Sequence, residues 1–174
     1  MPRVKTETQA AACPRIGALA RRYLDVRVAT ERLLAPLSEE DCQIQSMPDA
    51  SPAKWHAAHT SWFFETFVLV PGLAGYRVFD PHFAFLFNSY YDSVGERIAR
   101  ERRGLVTRPG LAEVQRYRAH VDEHMERLLA HEGFAGELLD VLEVGLNHEE
   151  QHQELVLTDI KHAFAESPLE PAYR

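Results

Sequence analysis

The chain has 174 residues, of which 45% are hydrophobic, and a formal net charge of −7. That length and composition predict one domain with an ordinary core, and the acidic balance argues against nucleic acid or an anionic membrane as partner. No apolar run approaches the roughly 18 residues needed to span a bilayer, and the first dozen residues lack the apolar core of a signal peptide, so a cytoplasmic protein is expected. Cys13 and Cys42 are too few and too far apart for a thiolate metal site.

Residues 1–14 are polar, carry no capping signal and read as a flexible N-terminus. The first helical period runs from Arg15 to Leu37, with Ile16, Leu19, Tyr23, Val26, Leu33 and Leu34 as its apolar stripe and Pro36 or Ser38 as its stop. A second helix opens at Ser51, an N-cap residue type, with Pro52 at the first helical position, and ends at Pro71-Gly72. Its stripe contains Trp55, Trp62, Phe63 and Thr66; His59 sits at the centre and His56 about 60° away, at the boundary. A histidine there is either a hydrogen-bonded core residue or a ligand.

Residues 71–107 form a long connection rich in aromatics (Phe79, Phe83, Phe85, Phe87, Tyr90 and Tyr91), which should pack on the helices and can carry the chain back along them. A third helix begins after the capping region Thr107–Pro109 and continues to about His131. Its stripe is Leu111, Val114, Val121, Met125 and Leu128, with His120 and His124 on a solvated flank. A fourth runs from Gly136 to Ala165, and its short link to the third predicts antiparallel neighbours. No segment alternates as a strand. The expected fold is all-α: a four-helix bundle over 15–166 with an aromatic-rich crossover between helices 2 and 3. Residues 167–174 carry two prolines and read as the start of a linker to a further C-terminal domain.

The fourth helix holds His148 and His152, four residues apart and therefore about 40° apart on one face. Val141, Val144 and Leu155 share that face, so both rings should turn inward, where an unpaired polar group is costly. Two such imidazoles suit a metal, and His59 is a natural third ligand. Three neutral imidazoles fit zinc, iron(II), nickel or copper and leave a position open for water or substrate. The outline His148-Glu149-x-x-His152 also matches the zinc-peptidase signature, but nothing in the chain predicts a peptide-binding sheet.

Four segments together, Trp55-His56-Ala57-Ala58-His59, Phe87 to Gly95, Arg103 to Pro109 and His148 to Lys161, resemble the N-terminal DinB-like domain of the ergothioneine-biosynthesis sulfoxide synthase (EgtB) family. The resemblance implies an iron(II)-dependent oxidoreductase that joins the sulfur of cysteine or γ-glutamylcysteine to the imidazole C2 of hercynine with O2. It implies iron held by His59, His148 and His152, hercynine contacted by Gln151, and the thiol substrate's carboxylates received by Arg97 and Arg100. Arg102, Arg103 and Arg108 are competitors for that last role. Asp159 could orient a ligand imidazole, or equally cap or form a salt bridge within the bundle. A second domain, resembling the formylglycine-generating enzyme, supplies the catalytic tyrosine in that family, so this chain alone should make little sulfoxide. The alternative is a stand-alone DinB-like, metal-dependent thiol S-transferase.

Overall fold

Among the described residues, 14–89, 95–130 and 136–174 of a computed structural model, all regular structure is helical. The elements are α1 (Pro14–Leu34), α2 (Glu39–Gln43), α3 (Ala53–Phe64), a π-helical turn (Glu65–Leu69), α4 (Val70–Gly72), α5 (Phe83–Phe87), a 3₁₀ turn (Arg100–Leu105), α6 (Leu111–Leu129) and α7 (Glu137–Glu166). The all-α expectation is met. Short α2, α5 and the 3₁₀ turn were not foreseen, because each lies inside a connection and is too brief to show a period. α2 does carry a local signal: Ser38 and Asp41 form a reciprocal capping box.

The π turn explains how helix 2 passes Pro71. In a regular α-helix a proline ring collides with the carbonyl four residues back. Here the Val70 N–H reaches back five residues to Glu65 O, and the wider turn admits Pro71 in α4. Ser51 is not the cap expected of it. Pro52 holds the N-cap position, while the Ser51 N–H donates to Asp159 and its hydroxyl accepts from Arg103.

The four long helices pack as α1 on α7, α7 on α3, α3 on α6 and α6 on α1. α1 and α7 are parallel, since Arg15 reaches Asp140 and Glu143 while Arg22 reaches Asn147 and Glu150. α3 opposes α7, with Gly145 against Phe63 and Phe64, and His56 against His152. α3 and α6 are parallel, from Arg118 beside Ala57 to Leu128 beside Gly72. The crossover therefore returns the chain along the structure before α6 begins. Its start is pinned by Glu65, whose buried carboxylate accepts from Tyr76, Tyr117 and the Phe79 amide, and by Phe79, Phe83 and Phe87 against Tyr117.

The expected adjacency of α6 and α7 is not found. Among the described residues they face each other across the core and meet through side chains such as Arg118 and Glu149. The residues between Leu129 and Glu137 are enough chain to span a diagonal of roughly 14 Å, given interaxial spacings of about 10 Å. A short link limits distance but does not choose a neighbour.

A charged cluster occupies the centre. Glu149 is fully buried and accepts from Arg27 (2.9 Å), Thr30 (2.7 Å) and Arg118 (3.2 Å). Arg27 also donates to Asp122 and Ser61, Tyr23 donates to Asp122, and Arg118 donates to Ala57 O and Thr60. Burial alone would raise the Glu149 pKa, but the two guanidiniums and the hydrogen bonds hold it below the ordinary carboxylate value. All four long helices contribute to this cluster. The stability it gives is therefore present above the unfolded carboxyl pKa and is lost as pH falls through the lower, folded value. Removing the carboxylate leaves Arg118 buried without a paired carboxylate and Arg27 with Asp122 alone, so Glu149→Ala should cost about 3–5 kcal/mol in urea unfolding. A loss below about 1 kcal/mol, the range of an exposed pair, would contradict this central role.

Candidate metal centre

His59 comes from the middle of α3, His148 and His152 from successive turns of α7. The two helices approach closely at Gly145, where a Cβ would lie 2.6 Å from Phe64 and 2.8 Å from Phe63. One turn further along α7 the three imidazoles converge, with one ligand atom from each within 4.8 Å of the others. Among the described residues this is the one group of three or more metal-ligating side chains. His59 Nε2 and His148 Nε2 are 3.2 Å apart, close to the separation that two nitrogens take on one ion at about 2.0–2.1 Å each.

The surroundings fix the rings. His59 lies between Trp55 and Trp62, stacked on both, and its Nδ1–H donates to Phe87 O. A carbonyl only accepts, so the proton sits on Nδ1 and the Nε2 lone pair faces His148. His152 Nδ1 lies 2.7 Å from His56 Nδ1, and His56 Nε2 lies 3.0 Å from Asp159 Oδ2. Among the described residues His148 Nδ1 is buried without a hydrogen-bond partner, a cost of about 1–3 kcal/mol that an interaction at its other nitrogen can offset.

All three rings are held neutral. Burial pushes His59 well below the ordinary imidazole range and His148 down to about 4, and burial together with His59 and His56 lowers His152. Neutral nitrogens with lone pairs aimed at a common point are what a divalent metal requires. The donor set therefore fits an ion, and its chemistry suits zinc, iron(II), nickel or copper.

The imidazoles open onto a cleft of about 560 Å³ whose other walls include Ser89, Arg100, Arg103, Gln151 and Leu155. Gln151 and Arg100 thus reach the cleft, while Arg97 is exposed and is not among its lining residues. Arg103 also lines the cleft. Its buried guanidinium lies 3.4 Å over the Trp55 ring and donates to Ser51 and Ser89. Residues 90–94 of the Phe87–Gly95 motif, including Tyr90 and Tyr91, lie outside the described residues.

Several readings need correction. His56 is fully buried, not at a boundary; its spacing of three from His59 was the available signal. Val144 is 57% exposed, so the deep face of α7 is not the one carrying His148 and His152. That face is Leu139, Leu142, Leu146, Glu149, Val156 and Ile160, and the ligands sit on its flank toward α3. His120 and His124 are half-buried against Tyr76 and, among the described residues, belong to no metal-capable group. Cys42 is buried and free, its thiol pushed up to about 12 by burial, far from thiolate chemistry.

The histidine shifts give a pH dependence. Their folded pKa values lie below the unfolded value of about 6.5, so the unfolded chain binds more protons between these limits. Stability of the metal-free protein should fall as pH drops from about 6.5 to 4. Thermal unfolding across that window checks it; substituting His148 and His152 together by Gln should flatten the slope, and an unchanged slope would be inconsistent with neutral buried rings.

No helix among the described residues is long and apolar enough to cross a membrane. No curated protein shows significant similarity to the sequence. Residues 22–156 match the DinB superfamily, a span that holds α3, the cleft and all three histidines, and the chain belongs to that superfamily.

Proposed function

We propose that the chain is the iron-binding domain of a hercynine sulfoxide synthase, joining the sulfur of cysteine or γ-glutamylcysteine to the imidazole C2 of hercynine with O2. The observation that carries this reading is the three-imidazole cluster opening onto a cleft walled by Arg100, Arg103 and Gln151. His59, His148 and His152 would hold the metal, and an iron(II) ion there supplies thiol activation and the redox chemistry of O2.

The chain's own residues handle binding and orientation. Arg100 and Arg103 offer guanidinium forks suited to a carboxylate on either substrate. Arg103 is the better placed of the two, because Trp55, Ser51 and Ser89 hold it rigid and a fixed fork loses little entropy on binding. Gln151, exposed beside the ligands, can donate to or accept from a polar substrate group. Trp55 and Trp62, both stacked on the His59 ring, shield it from water. The reading further requires a domain resembling the formylglycine-generating enzyme to complete the pocket and supply a catalytic tyrosine.

The test uses protein purified without oxygen and loaded with iron(II), then supplied with O2, hercynine and either thiol, with products followed by mass spectrometry. One equivalent of metal is expected, lost in His148→Ala, with little sulfoxide from the chain alone and product once the partner domain is added. Arg103→Ala should weaken thiol binding by about 1.5–3 kcal/mol, the range for hydrogen bonds to charged groups. Robust sulfoxide formation by the chain alone would contradict the need for a partner domain. Transfer of the thiol to an electrophile, without O2 consumption, would replace the reading with a metal-dependent thiol S-transferase.

A further inference from the structure

A buried chain of hydrogen-bonding groups reaches the cluster from behind. Asp159 lies seven residues beyond His152 on α7, two turns along the same face. Its Oδ2 accepts the Ser51 N–H at 2.8 Å and stands 3.0 Å from His56 Nε2. His56, 1% exposed on α3, places its other nitrogen 2.7 Å from His152 Nδ1. Ser51 is in turn held by Arg103, whose Nη1 donates to its hydroxyl at 2.9 Å.

Each group constrains the next. A carboxylate accepts, so the proton on His56 belongs on Nε2. The neutral ring then has a lone pair at Nδ1, and the short contact with His152 Nδ1 is satisfied when His152 donates there. A neutral His152 protonated at Nδ1 has its lone pair at Nε2. We propose that Asp159 and His56 are positioning residues that set the tautomer and ring orientation of His152 from two residues away, so that its Nε2 is the atom presented to the metal. This rests on the three-histidine reading of the site and adds to it the origin of one ligand's geometry. The same logic places the His59 proton on Nδ1 through Phe87 O, so two of the three ligands are pre-set by acceptors that never touch the ion. Partners that orient a ligating imidazole in this way are worth about 10- to 100-fold in metal affinity.

Imidazole 15N-labelled protein, free of metal, gives the direct test by long-range proton–nitrogen correlation spectra. His152 should be protonated at Nδ1 and His56 at Nε2. Zinc affinity, measured by chelator competition, should fall about 10- to 100-fold in Asp159→Leu and His56→Phe, with helicity unchanged. His56→Gln, whose carbonyl can still accept from His152, should retain most of the affinity, which a merely space-filling role for His56 would not produce. Protonation of His152 at Nε2 in the wild-type protein, or wild-type zinc affinity in His56→Phe, would overturn the proposal. A wild-type protein that binds no zinc would instead remove the metal reading, and the metal-free spectra would still decide the tautomer.

Discussion

The structure turns on Glu149 and the two guanidiniums that enclose it. A carboxylate taken fully out of water survives only when charge and hydrogen bonds replace its hydration, and Arg27 from α1 and Arg118 from α6 do so, joined by Thr30. The same arginines reach Ser61, Thr60 and Ala57 O on α3. Apolar packing alone tolerates small rotations of one helix on another. A fixed carboxylate with donors on three sides does not, and it sets both the height and the rotation of α7.

The candidate metal centre inherits that setting. His148 is the residue next to Glu149, about 100° around the helix, so pointing Glu149 at the core turns His148 toward α3. His152 follows one turn on. Gly145, one turn before, lets the helices approach to the distance at which His59 can share a ligand point with them. Desolvated imidazoles are costly in the metal-free protein, and coordination would offset that cost. The hydrogen bonds from His59 to Phe87 O and between His152 and His56 ensure that the geometry exists before any ion arrives.

Much of this was legible in the sequence, and the failures have physical causes. Periodicity located α1, α6 and α7 because each is long and amphipathic, whereas α3, buried on every side, was marked by its aromatic run and the proline at its start; together these placed His59, His148 and His152 on facing surfaces. Periodicity put the deep face of α7 in the wrong place because Glu149 reads as a polar residue, whereas its two arginine partners lie more than thirty and more than a hundred positions away. Likewise His56 looked peripheral, because Asp159 is a hundred residues distant and only the fold joins them. Among five nearby arginines the resemblance pointed to Arg97 and Arg100, with Arg102, Arg103 and Arg108 as competitors, and spacing alone could not separate them. Arg100 and Arg103 line the cleft and Arg103 is buried over Trp55, and both facts are properties of tertiary packing. The order of helices around the core was also hidden, since a short link restricts distance without naming a neighbour.

Whether His59, His148 and His152 together hold one metal ion is read from X-ray absorption of the zinc-loaded protein. The expected spectrum has a first shell of nitrogen and oxygen at about 2.0–2.1 Å with the outer scattering of three imidazoles, falling to two in His59→Ala. A sulfur shell at about 2.3 Å, or an imidazole count that His59→Ala leaves unchanged, would contradict it.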